Sequence, residues 1–156
     1  IADGVILWLC VPDYVRDVVV PEMRAGRERA GRDLDNLDIV AAVPSAVTDN
    51  LSEAYAAMRA DLLPYFTLPF YRAMIERSGF GAEIEAFDAA GGDPEVMQAA
   101  ISDRFLEALL AAGDEDAVRA GIERYQAAGA NSPCVGPVPR TDFEATLRAA
   151  APAGPG

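Results

Sequence analysis

A chain of 156 residues, 51% apolar and 24% charged, has the size of one ordinary domain and can bury a core without a disulfide. Its formal net charge is −12, its only basic residue is arginine, and it has no histidine, so a phosphate backbone is an unfavourable partner and Ser-His-Asp, Cys-His and imidazole–metal chemistry are excluded. No apolar stretch reaches the roughly 18 residues of a membrane span, and no basic flank precedes the apolar start, so neither a membrane anchor nor a signal peptide is expected. Cys10 and Cys134 lie far apart with no CxxC, which reads as two free thiols in a cytoplasmic protein and no metal site.

Residues 3–11, DGVILWLCV, form a nearly continuous apolar run of strand length, as in a parallel strand covered on both faces. Pro12 and Asp13 fit the first turn of a helix whose face carries Val15, Val18, Val19 and Met23. Pro21 predicts a kink or two short helices, and Gly31 a C-terminal stop. Residues 37–48, LDIVAAVPSAVT, form a second strand; Pro44 inside it predicts either an end near Val43 or a bulge. Asn50 with Glu53 resembles a capping box opening a helical excursion over residues 51–111. Pro64 and Pro69 bracket an aromatic segment there, and a helix through Phe70, Met74 and Ile75 ends near Gly79. Asp93-Pro94-Glu95 is a further helix start, and Phe105, Leu106, Leu109 and Leu110 form an apolar stripe. Residues 114–128 open on three acids, where the helix dipole favours them, and place Val118, Ile122 and Tyr125 on one face. Residues 131–139, NSPCVGPVP, supply a short third strand, and Thr141 with Glu144 a second capping-box candidate. Each strand is followed by a helix, which implies an α/β fold with parallel strands joined by right-handed crossovers. Residues 1–150 read as one unit and 151–156 as a flexible tail.

Three segments together resemble luciferase-like monooxygenases, especially those using coenzyme F-420. They are Ala2-Asp3-Gly4-Val5-Ile6-Leu7; Asp13-Tyr14-Val15 through Ala30-Gly31-Arg32 with the strand ending at Val47-Thr48; and Gly113-Asp114-Glu115-Asp116-Ala117-Val118 through Tyr125, Ala128, Gly129 and Ala130. No single motif is diagnostic; the combination and its spacing carry the resemblance. It implies a partial TIM (β/α)8 barrel: the last three β/α units, with a helical insertion before the final strand. A whole barrel needs ~250 residues. A start at Ile1, in mid-strand, then fits a chain lacking the first five units, whose exposed edges would drive self-association or pairing with the missing barrel half. The implied cofactor is FMN or coenzyme F-420 acting on a small-molecule substrate. Its phosphate groups would be held by the earlier strands, so these residues alone are expected to be inactive. The other reading is a non-catalytic barrel-derived module for binding or assembly.

Sites in such folds lie at the C-terminal ends of strands. That places Trp8, Leu9 and Cys10, then Val43, Pro44 and Ser45, then Gly136, Pro137 and Val138 at the mouth. Trp8, Cys10, Ser45 and Pro137 are the candidate cofactor-binding residues; a core indole, a buried thiol and a plain turn are the structural alternatives for Trp8, Cys10 and Pro137. Tyr65, Phe66, Phe70 and Tyr71 are candidates for a substrate lid, against simple packing. Glu83/Glu85 and Glu115/Asp116 read as solvated faces or helix-start acids. No residue recommends itself as a catalytic acid or base.

Overall fold

The computed structural model describes residues 3–33 and 36–151. Four parallel strands form one sheet: β1 (Gly4–Leu7), β2 (Asp38–Val47), β3 (Ala111–Gly113) and β4 (Ser132–Pro137). β2 is the axis. Its first half pairs with β1, from Gly4↔Asp38 to Leu7↔Ala41, and its last three residues pair with β3. β4 lies along β2 from Val40↔Ser132 to Ser45↔Pro137. All three apolar runs are strands with tighter bounds than the sequence suggests. β1 stops at Leu7 because Leu9 adopts φ 61°, a left-handed conformation that turns the chain out of the sheet. The excursion, expected over residues 51–111, ends with a helix closing at Leu109, and residues 111–113 form β3, a fourth strand, so the helical insertion precedes β3 and not the final strand; three residues of Ala and Gly carry no period by which a strand could be recognised.

Pro44 neither ends nor bulges β2, which runs on to Val47. The reason lies in which edge each amide faces. The amides of Ile39 and Val47 face the β4 side, bonding Asn131 Oδ1 and Thr146 Oγ1, while those of Asp38 and Thr48 face the other side, bonding Asp3 O and Gly113 O. Successive residues alternate, so β1 and β3 share one edge of β2 and the Pro44 nitrogen points to it. Residue 44 falls in the gap between the Leu7↔Ala41 and Ser45↔Ala111 pairings, where no ladder donor is needed.

α1 (Pro12–Tyr14), a π-helical turn (Val15–Val19) and α2 (Val20–Arg29) follow one another with helical backbone angles at every junction. Pro21 cannot donate to Asp17 O. The adjoining turn widens, with Val20 N bonding Val15 O, and the helix continues instead of breaking. Gly31, at φ 61°, follows its end. The excursion holds α3 (Leu51–Leu62), a 3-10 turn (Tyr65–Thr67), α4 (Pro69–Ile75), a π-helical segment (Glu76–Phe80), α5 (Gly81–Ala89), α6 (Pro94–Ala100) and α7 (Asp103–Leu109). Asn50 caps α3, its Oδ1 accepting from Glu53 N, but its backbone amide donates to Thr48 Oγ1 and it is the side-chain amide that donates to the Glu53 carboxylate; Asp93 caps α6, and Ser102, which sequence reading passed over, caps α7. Gly79, at φ 86°, takes a left-handed conformation open to glycine and divides α4 from α5. α8 (Glu115–Ala127) is capped by Asp114. α9 (Phe143–Ala150) is capped by Asp142, not by the expected Thr141, whose hydroxyl donates to Val138 O.

The buried side chains form two linked zones. Leu7, Ile39, Ala41 and Val43 line one face of the sheet and are buried, and α8 packs on β3 so closely that Gly121 touches Ala111. Tyr125, wholly buried, donates from its hydroxyl to Leu109 O at 2.8 Å. Within the excursion Phe66 and Phe80 meet Phe105 at ring distances of 5.7 and 5.0 Å, and Phe66 meets Phe87 at 5.5 Å. On the other face of the sheet Ile6 and Cys134 are exposed and Val40 and Ala42 half-buried. Glu83, read from sequence as solvated, is buried; it accepts from Ser102 Oγ at 2.7 Å and from Arg104 at 3.1 Å, tying α5 to α7.

Candidate functional site

The chain leaves β1 through Trp8, turns at Leu9 and enters α1 at Pro12. Beside that turn lies a cavity of about 430 Å³. Val5, Ile6 and Leu7 form one wall. Tyr14, Val18 and Glu22, four residues apart and therefore on one helical stripe, form the second with Val19 and Met23. Phe70, Tyr71 and Met74 of α4, with Arg77, form the third, and Trp8 and Cys10 also line it. Aromatic rings continue from its wall in a chain of edge contacts: Trp8 to Tyr65 at 5.9 Å, Tyr65 to Tyr71 at 5.0 Å, Tyr71 to Phe70 at 5.5 Å. The Arg77 guanidinium lies 5.9 Å from the centre of the Tyr14 ring.

Two polar groups in this wall differ in character. The Trp8 indole nitrogen is buried and has no hydrogen-bond partner among the described residues. Such an orphan donor costs stability unless something accepts from it. The Cys10 thiol is 3.4 Å from Met74 Sδ and 3.8 Å from Trp8 O, and burial pushes its pKa up to about 11. It is a neutral thiol at physiological pH, suited to packing and not to nucleophilic attack.

The structure thus brings together Trp8, Cys10, Phe70 and Tyr71 in one cavity, with Tyr65 one ring behind. It does not bring in the other candidates. Ser45 is buried and donates its hydroxyl to Val43 O at 2.9 Å. Pro137 is exposed at the end of β4. Phe66, wholly buried among Phe87 and Phe105, is a core residue with no surface to offer as a lid. Tyr14, Glu22, Met74 and Arg77 line the cavity and were not singled out from the sequence; the spacing of Tyr14, Val18 and Glu22 was the available signal. A second groove of about 410 Å³ collects Arg16, Arg104 and Arg124. Each is engaged structurally: Arg16 with Asp13 and Asp17, Arg104 with Glu83, Arg124 with the carbonyls of Glu107 and Leu110 at the end of α7. Among the described residues no cluster of three or more metal-ligating side chains occurs, and no helix is long and apolar enough to cross a membrane.

Parallel strands returned by helices, with a pocket where the chain leaves a strand, place the chain in the α/β class and make it similar to TIM-barrel-type enzymes. The chain belongs to the luciferase-like monooxygenase family, whose sequence profile matches residues 1–132. It is 29% identical over 140 residues to 5,10-methylenetetrahydromethanopterin reductase of Methanopyrus kandleri, covering 87% of this chain and 39% of that protein. Among solved structures it resembles the coenzyme F-420-dependent tetrahydromethanopterin reductase of the same organism, with a TM-score of 0.72 and 27% identity over 96% of this chain and 43% of that one. A coenzyme F-420-dependent secondary alcohol dehydrogenase, in complex with an F-420–acetone adduct, shares the fold at a TM-score of 0.62 and 20% identity, with 97% of this chain and 44% of that one covered. The chain therefore spans less than half the length of these relatives.

Proposed function

We propose that these residues form the C-terminal part of a barrel in a coenzyme F-420-dependent oxidoreductase acting on a small molecule, and that the cavity beside Trp8 binds the cofactor ring or the substrate. The observation that carries this reading is the orphan indole N–H in an aromatic wall. It is a buried donor with no partner among the described residues, on a side chain that lines the cavity, and a small turn of the indole toward the cavity would let an acceptor on a planar ligand satisfy it. The solved reductase at 27% identity is coenzyme F-420-dependent, which favours that cofactor over FMN.

The residues fit the ring end of such a group better than its phosphate end. Tyr14, Tyr71 and Phe70 offer faces and edges for stacking, and Trp8 a hydrogen bond; no glycine-rich phosphate loop is present in the sequence. When bound, the deazaflavin supplies hydride transfer. The protein's own part is to orient the ring, through Trp8 and the tyrosines, and to exclude water, through Met74, Val18 and Val19. Cys10 stays protonated and serves as wall. The phosphate end falls to residues outside this chain, so the 156 residues alone bind weakly and turn over little. Their open sheet edges favour self-association or pairing with the remaining barrel strands. Titration with coenzyme F-420 and with FMN, read by Trp8 emission in the wild type and by cofactor absorbance in Trp8→Phe, tests the reading: quenching of the wild type by coenzyme F-420 and weaker binding by Trp8→Phe are expected. Absence of any response in a longer chain carrying the whole barrel would refute it.

A further inference from the structure

The cavity wall that carries Tyr71, Met74 and Arg77 ends in a tight turn. α4 and the π-helical segment after it run to Gly79, whose φ of 86° and ψ of 18° turn the chain into α5. Nothing lies within 4 Å of where a Cβ would stand, so glycine is set there by backbone angle and not by space. A helix that stops leaves its last carbonyls in need of outside donors. Two side chains supply them: Ser78 Oγ donates to Met74 O at 2.7 Å, and Arg104 Nη2, from α7, donates to Gly79 O at 3.0 Å.

Arg104 is held to that carbonyl by a buried anchor. Its Nη2 also donates to Glu83, at 3.1 Å to Oε1 and 3.3 Å to Oε2, so the N–H bonds of one nitrogen are divided between the carboxylate and the Gly79 carbonyl. The guanidinium carbon lies 4.2 Å from the centre of the Phe80 ring. Ser102 Oγ donates to Glu83 Oε1 at 2.7 Å while accepting from Phe105 N, which ties the anchor to the start of the helix that presents Arg104. The Glu83 side chain is 6% exposed and the Arg104 side chain 61% exposed. The buried carboxylate needs this cation, and the cation in turn is fixed beside Gly79. The wall on the other side of the turn makes its own contacts close by. Met74, five residues before Gly79, accepts from Cys10 Sγ, and Arg77, two before it, lies over the Tyr14 ring.

We propose that Arg104 is a positioning residue for the cavity beside Trp8: anchored on buried Glu83, it clamps the Gly79 carbonyl and so fixes the wall bearing Met74 and Arg77 against Cys10 and Tyr14. Its bearing on ligand binding rests on the reading of that cavity given above, but the clamp is tested with no ligand present. The readout is iodoacetamide labelling of Cys10 in the folded protein at pH 8, followed by mass spectrometry, with exposed Cys134 of the same molecule as internal standard. Arg104→Met keeps a side chain on Phe80 but strands the Glu83 charge; Glu83→Gln/Arg104→Met removes that charge as well and still lacks the donor to Gly79 O. Both variants label Cys10, relative to Cys134, about tenfold or more faster than the wild type, the equivalent of one lost hydrogen bond. The rate is insensitive to urea below the unfolding transition, which marks local opening of the wall. Wild-type protection of Cys10 in the double variant overturns the proposal, because the pair then serves only to balance a buried charge. Labelling of the double variant that accelerates with urea as global unfolding does overturns it as well, since Arg104 then acts through overall stability. A wild type whose Cys10 reacts as fast as Cys134 overturns it outright.

Discussion

Replacing Trp8 by Phe separates a packing indole from one held ready for a ligand. A core tryptophan whose ring nitrogen is satisfied loses twice on this change: a hydrogen bond worth about 1 kcal/mol, and a partner left unpaired at about 1–3 kcal/mol. Trp8 has neither to lose, since its Nε1 has no partner among the described residues. The phenyl ring buries roughly 40 Å² less apolar surface, about 1 kcal/mol at 25 cal/mol/Å². Removing the orphan N–H returns about 1–3 kcal/mol. The two effects nearly cancel, so Trp8→Phe should unfold in urea within about 1 kcal/mol of the wild type, or somewhat above it. Ligand binding should move the opposite way: losing the donor should weaken binding of coenzyme F-420 by roughly tenfold, as for one hydrogen bond. The assay is a pair of urea melts and a pair of titrations, the latter followed by deazaflavin absorbance because the variant lacks its only tryptophan. A loss of more than about 2 kcal/mol in stability with unaltered affinity would refute the reasoning and return Trp8 to the core.

Other outcomes follow from the same geometry. Thiol labelling of the folded protein at pH 8 should modify exposed Cys134 and spare Cys10, as read by mass spectrometry; Cys10 should react only as the pH approaches its raised pKa of about 11 or on unfolding. The same shift has a stability consequence: the folded state holds this proton more tightly than the unfolded one, whose thiol titrates near 9.0. The contribution is therefore complete below pH 9 and fades between about 9 and 11, and urea midpoints across that window should fall less steeply in Cys10→Ala. Gly121→Ala would put a Cβ 2.6 Å from Ala111 Cα, forcing α8 off β3; a loss of about 1–3 kcal/mol is expected in thermal melts. Tyr125→Phe would leave the buried Leu109 carbonyl without its donor, at about 1–3 kcal/mol.

What the sequence made legible was whatever a local period or a cap encodes. The strands at 4–7, 38–47 and 132–137 were visible as apolar runs, and Asn50 and Asp93 as helix starts, because each is decided within a few residues. Proline misled wherever its effect depends on a neighbour. At Pro44 the missing amide matters only on the side to which it points, and that side is empty between β1 and β3. At Pro21 the cost is absorbed by a π turn. At Thr141 the local pattern fitted a cap, but Asp142 was one residue closer to the helix.

The site was half legible, and the missing half has a single physical cause. Trp8 and Cys10 were singled out because they end the first apolar run, and Phe70 and Tyr71 because aromatic residues cluster on both sides of Pro69. Nothing local joins residues 8–10 to residues 70–74: their meeting depends on α4 returning to the end of β1 from about sixty residues away, a property of tertiary packing. The same dependence separates Tyr71 from Phe66. Phe66 stands before Pro69 and Tyr71 just after it: the 3-10 turn at Tyr65–Thr67 sends Phe66 inward onto Phe87 and Phe105, and Tyr71, on α4, lines the cavity with Trp8. A cavity-lining ring and a core plug thus lie within five residues of each other. The distinction has a measurable form: Phe66→Ala should cost about 3–5 kcal/mol of stability, as a buried aromatic truncation does, while Phe70→Ala, on an exposed ring, should cost less than about 1.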